Sequence, residues 1–193
     1  MNSVYITTPI YYVNDKPHIG HSYTSIACDI LSRFHKLNNE DVFFLTGTDE
    51  HGQKVEKAAM KLSENPITFV NKMSKNFIDL IPYLNCKIND FIRTTEERHV
   101  NAAQHLWKKL ESNGQIYLSN YEGWYSIRDE AFYSENELIK KDNKLIAPSG
   151  SEVEWVKEES YFFKLSNWQD KLLDFYKKNP NSIAPKSRYN EVL

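Results

Sequence analysis

Two stretches decide how this chain is read: Val4-Tyr5-Ile6-Thr7-Thr8-Pro9-Ile10-Tyr11-Tyr12-Val13-Asn14-Asp15-Lys16-Pro17-His18-Ile19-Gly20-His21, and Val42-Phe43-Phe44-Leu45-Thr46-Gly47-Thr48-Asp49-Glu50-His51-Gly52. Val4 to Thr7 is a β-branched and aromatic run closed by Pro9, which predicts an opening strand. Downstream, Ile19, Tyr23, Ile26, Ala27, Ile30, Leu31 and Phe34 recur at spacings of three and four, one face of a helix. Pro17 stands at or near its first position, where a missing N–H does no harm, and Asn38-Asn39 ends it. Val42 to Leu45 is a continuous apolar run, as in a strand buried on both faces of a parallel sheet. Strand, helix and strand together make a βαβ unit.

Working outward, a helix is predicted after Gly52 through Val55, Ala58, Ala59 and Leu62, and another from Pro66 with Ile67, Val70, Met73, Phe77 and Leu80 on one side. A further helix covers Glu96 to Glu111, with Val100, Ala103, Leu106, Trp107 and Leu110 inward and Asn113-Gly114 as its stop. From Gln115 the period changes. Ile116 to Leu118, Tyr121, Trp124-Tyr125 and Ala131 to Tyr133 are aromatic strand segments, broken by Gly123 and polar turns, and they suggest an antiparallel insertion. After the turn at Pro148-Ser149-Gly150, Val153 to Leu165 is the next strand, and Trp168, Leu172, Leu173 and Phe175 mark a final amphipathic helix.

With 193 residues, 40% of them hydrophobic and 13% aromatic, the chain buries a core, and disorder is excluded as its general state. The net charge of −2 gives no broad basic field for nucleic acid, and DNA is not an expected partner. Cys28 and Cys86 are too far apart in sequence to form a C-x-x-C pair, which fits a reducing compartment. The opening residues from Met1 lack a signal-peptide pattern, and no apolar run reaches the roughly 18 residues a membrane span needs. A cytoplasmic protein without a membrane partner is therefore expected.

In a parallel sheet, ligands bind where strands hand over to helices at their carboxyl ends. His18, Gly20 and His21 fall at such a junction, beside free helix N–H groups and the positive dipole end, both suited to phosphate. A bare pair of histidines three apart is more often a solvated first turn. Likewise, Thr48-Asp49-Glu50 read alone is an acidic loop that caps the next helix. Asp49 is nonetheless able to hold an ammonium group, and Gly47 and Gly52 permit close backbone approach.

Taken together, P-x-Y-Y-x-N-x-x-P-H-I-G-H followed by F-L-T-G-T-D-E-H-G resembles the N-terminal half of the catalytic domain of methionyl-tRNA synthetases, which are class I aminoacyl-tRNA synthetases. The likeness continues through Phe91 to Thr95, Tyr121 to Tyr125, Glu158 to Phe163 and Asn190-Glu191-Val192. It implies an α/β fold in which a Rossmann-like parallel sheet is interrupted by an inserted, largely antiparallel connective domain. The corresponding boundaries are 1–114 for the first half, 115–165 for the insertion and 166–193 for the return segment. The resemblance further implies ATP-dependent activation of L-methionine and its transfer to the acceptor end of tRNA(Met), with Mg2+ entering alongside ATP as substrate. By that likeness His18 and His21 are catalytic and, with Gly20, contact ATP, while Ile10, Tyr12 and Asp49 belong to the methionine site. Tyr11, Asn14, Pro17 and Ile19 complete the signature segment.

Two departures stand out. Many members of the family carry structural zinc in the insertion, but here the matching frame is Ser126-Ile127-Arg128-Asp129, and Ala147 to Gly150 also lacks cysteine. No metal is expected, and an aromatic core from Tyr125, Phe132 and Tyr133 is expected to replace it. Lys72-Met73-Ser74-Lys75 imitates the family's K-M-S-K-S triphosphate loop, but Met73 falls on an apolar helical stripe, so the match is read as coincidence. The reading is then of an N-terminal fragment with low activity in isolation. The competing readings are a non-catalytic truncated paralogue acting as a binding module, and a metal-dependent phosphohydrolase using His18, His21, Asp49 and His51. His35, His99 and His105 are read as structural.

Overall fold

The computed structural model describes residues 2–141 and 144–193 and divides the chain into two compact units, Met1–His105 and Leu106–Leu193. Residues 1 and 142–143 lie outside the described residues. No helix among the described residues is long and apolar enough to cross a membrane.

In the first unit, β1 (Ser3–Thr7) leads through β2 (Tyr11–Tyr12) to α1 (Ile19–Leu37) and β3 (Asp41–Asp49). Helices α2 (Gln53–Lys61) and α3 (Pro66–Tyr83) and strand β4 (Asp90–Arg93) follow, and helix α4 (Glu97–Ser112) begins in the first unit and ends in the second. β1, β2 and β4 all pair parallel to β3, with Ser3 opposite Asp41, Tyr12 opposite Asp49 and Thr48 opposite Arg93. The predicted βαβ unit is present and the parallel sheet is the frame of the unit. One face of the sheet packs Ile6, Val42 and Phe44 with Cys28 of α1; the other packs Tyr11 and Val13 against Val55, Ala59, Phe69, Val70, Met73 and Phe77 of α2 and α3.

Three expectations change here. β3 runs four residues beyond Leu45, so Gly47, Thr48 and Asp49 lie in the strand and not in a loop after it. The extension is held by β4, a strand that periodicity did not predict because four residues carry too little pattern. Second, the apolar stripe of α1 is exposed: Ile19, Tyr23, Ile30 and Phe34 are all more than half accessible, while Ser25, Asp29 and Ser32 are the buried face. Small polar side chains let the helix approach the sheet, and Asp29 pays its desolvation with bonds from the Lys87 N–H (2.7 Å) and Arg33 Nε (2.5 Å). Third, α4 forms as predicted but buries none of its residues.

In the second unit, β5 (Ile116–Ser126) is one continuous strand. The predicted break at Gly123 does not occur, because antiparallel pairing with residues 154–163 runs through it without interruption, Gly123 opposite Val156. β5 pairs antiparallel with β6 (Ala131–Tyr133) and with β9 (Glu154–Phe163), while β7 (Ile139–Lys141) and β8 (Lys144–Ile146) form a separate hairpin. Helices α5 (Gln169–Lys178) and α6 (Lys186–Val192) close the chain. Tyr125 meets Phe132 at 4.7 Å between ring centroids, as the aromatic expectation requires.

Tyr133 does something else. Its hydroxyl donates to Asp129 (3.1 Å), whose same carboxylate oxygen also accepts from Ser126 (3.0 Å), Ser149 (2.5 Å) and Ser151 (2.5 Å). These hydroxyls hold the Asp129 carboxyl well below the usual carboxylate range, at about 2. The donor set at this hairpin is all oxygen and already mutually bonded; without thiolate or imidazole it does not fit structural zinc.

Candidate functional site

The site grows from the start of α1. His18 is the helix cap, and its Nδ1 accepts the Gly20 N–H at 3.1 Å; His21 Nδ1 accepts the His18 N–H at 3.1 Å. Two imidazoles thus do the work that serine and glutamate do in an ordinary capping box. Pro17 lies one residue before the cap, and Gly20 is required because a Cβ there would come within 2.9 Å of the His18 ring.

A nitrogen that accepts a backbone N–H carries no proton, so both rings hold theirs on Nε2. The rings stack at 3.8 Å between centroids, each with an Nε2–H left to donate. Burial lowers the pKa of His21 and the neighbouring His18 lowers it further, which keeps His21 neutral. Its ring is wedged edge-on against Tyr11 (4.8 Å) and Phe77 (5.2 Å), and the Tyr11 hydroxyl is tied to Ser25 Oγ at 3.0 Å. β2, α1 and α3 therefore fix one histidine between them.

A cavity of about 470 Å³ opens here, lined by Ile10, Tyr11, Tyr12, Asn14, Asp15, Lys16, His18 and His21. Most of the residues expected from the sequence come together around it. Asp49 is not in that lining; it stands beside Tyr12 in the strand register, partly buried at the end of β3. Pro17, Ile19 and Gly20 shape the loop and cap without lining the cavity, and Ile19 is exposed. His51 places Nε2 3.3 Å from the Thr94 carbonyl oxygen. Among the described residues, His18, His21, Asp49 and His51 do not gather as a metal-ligand group.

Sequence reasoning missed Glu50 and Arg93. The Glu50 side chain is fully buried, and Arg93 grips it with Nε at 2.7 Å and Nη2 at 2.8 Å. Thr48 (2.7 Å), Thr95 (2.5 Å) and Ser74 also donate to it. Burial pushes this carboxyl up, but the bonds from Arg93, Ser74, Thr95 and Thr48 together outweigh it and hold the pKa below the usual range. The available clue was Arg93 in the Phe91 to Thr95 segment, a charge set between the apolar pair Phe91-Ile92 and two threonines.

The model for tRNA synthetases class I (M) matches residues 4–193. The Methionine--tRNA ligase of Rickettsia prowazekii (strain Madrid E) is 60% identical over 192 residues, which are 100% of this chain and 37% of that protein. The Methionine--tRNA ligase of Rhizobium meliloti (strain 1021) is 50% identical over 190 residues, 98% of this chain and 37% of that protein. Among solved structures, Mycobacterium tuberculosis methionyl-tRNA synthetase in complex with methionyl-adenylate superimposes with a TM-score of 0.93 at 44% identity, covering 100% of this chain and 38% of that one. The chain thus spans a little over a third of the length of the relatives it matches.

Proposed function

The chain belongs to the class I (M) tRNA synthetases, and from that membership we propose that it forms the first part of a methionine–tRNA ligase active site. On this reading, residues 1–114 are the first half of the nucleotide-binding domain, 115–165 the connective insertion and 166–193 the return toward the second half. His18 and His21 donate from Nε2 to ATP as its α-phosphate is attacked by the methionine carboxylate, and pyrophosphate leaves. No covalent protein intermediate is required. The enzyme aligns two anionic reactants and neutralises the charge that builds on the transferring phosphoryl group. Mg2+ arrives with ATP as part of the substrate. Gly20 keeps the cap compact beneath the phosphates, Ile10 and Tyr12 border the amino acid, and Asp49 pairs with its ammonium group. The acceptor end of tRNA(Met) then receives the methionyl group.

The observation that carries this reading is the pair of Nδ1-tethered imidazoles beside the cavity lined by Ile10 and Tyr12. Both Nε2–H groups are set before any ligand arrives, so no reorganisation is needed when charge develops. Methionine-dependent ATP–pyrophosphate exchange tests it, run in parallel on this chain and on the complete reading frame that carries it. The complete protein is expected to catalyse exchange, and His18→Ala and His21→Ala each to lower kcat by roughly 10²- to 10³-fold. Exchange driven by another amino acid, or indifference to both substitutions, overturns the reading.

A further inference from the structure

Glu50 sits in the chain between Asp49 and His51, yet its carboxylate faces away from solvent entirely. Five donors converge on it: Thr48 from β3, Ser74 from α3, Arg93 twice from β4, and Thr95 from the turn after β4. A carboxylate has about four lone-pair positions, so this one is saturated. The backbone around it is tied as well. The Glu50 N–H donates to Thr94 Oγ1 at 2.9 Å, and the Thr94 N–H donates to the Thr48 carbonyl at 3.2 Å. Arg93 is itself anchored to Asn71 Oδ1 at 2.6 Å.

A buried ion pair of this kind is a poor route to stability, since desolvation offsets most of its attraction; what it fixes well is geometry. Removing side-chain freedom from residue 50 leaves the backbone of its neighbours little room to turn. We propose that Glu50 is a positioning residue: its Arg93-clamped carboxylate holds the end of β3 so that Asp49 is presented to the ammonium group of the amino acid. This rests on the reading of Asp49 given above. Glu50 itself touches no substrate.

The test is amino-acid-dependent pyrophosphate exchange in the complete protein, comparing wild type, Asp49→Asn, Glu50→Gln and Thr95→Val. Competition by 4-(methylthio)butanoate, methionine without its amino group, is measured alongside. Glu50→Gln is expected to raise KM for methionine at least tenfold and KM for ATP less than twofold, and to leave inhibition by the des-amino compound unchanged, as Asp49→Asn does. Thr95→Val removes one donor of five and is expected to move the methionine KM the same way by two- to fivefold; it carries the test if Glu50→Gln does not fold. A uniform loss, in which both KM values and the analogue's inhibition worsen together, shows a merely structural role and overturns the proposal. So does an unchanged methionine KM in Glu50→Gln beside a raised one in Asp49→Asn. If Asp49→Asn itself has no effect on methionine, the assignment of Asp49 fails, and the role of Glu50 falls with it.

Discussion

Single residues in the site are constrained by distances that leave no slack. A Cβ on Gly47 would lie 2.1 Å from the Ile92 carbonyl oxygen, backbone that cannot rotate away as a side chain can. Gly47→Ala is therefore expected to separate β3 from β4 and to cost about 3 kcal/mol, measured as a lower urea midpoint with the transition slope retained. The sequence suggests close backbone approach at this glycine, and the structure identifies what approaches as the neighbouring strand β4. His18 and His21 were legible in type and position. Their tautomers were not, because these depend on which backbone N–H each Nδ1 accepts, a fact of the folded helix start.

At the scale of elements, the Asp129 cluster joins the β5–β6 hairpin to the turn at residues 147–151 through hydroxyls of Ser149 and Ser151. The folded carboxyl titrates at about 2, below its ordinary value, so the ionised form is the one the fold prefers. Its contribution is present above the unfolded value near 4 and is lost as pH falls from there toward 2. Thermal melting between pH 6 and pH 2, followed by tryptophan fluorescence, is expected to show a steeper acid loss in wild type than in Asp129→Asn, which starts lower and responds less. The hairpin was legible as aromatic and antiparallel. The carboxylate knot was not, since Ser126, Asp129, Ser149 and Ser151 look like ordinary turn residues until the chain brings them round one oxygen.

Across the whole molecule, what the sequence marks as apolar and what the fold buries overlap only in part: Val42, Phe44, Val55, Ala59, Val70, Met73 and Phe77 are buried, while the stripe of α1 is not. α1 presents Ile19, Tyr23, Ile26, Ile30 and Phe34 to solvent, and Tyr5 and Phe43 of the sheet are exposed too. Contiguous apolar surface of this kind binds hydrophobic dyes. The isolated chain is expected to enhance ANS fluorescence, and Ile30→Glu to reduce the signal with a change in Tm of less than about 2 °C, because Ile30 is not packed. A large fall in Tm shows instead that the stripe is buried. By itself the sequence determined the βαβ order, the family and the place of the histidines, all of which follow from local periodicity and contiguous motifs. Only the tertiary structure decided that β3 extends through Asp49, that α1 packs by serines and an aspartate, and that Glu50 is buried with a half-buried Arg93 clamping it. The physical reason is that periodicity reports which side chains prefer to leave water, whereas burial of a charge depends on partners from β3, α3 and β4 that only folding brings within hydrogen-bond reach.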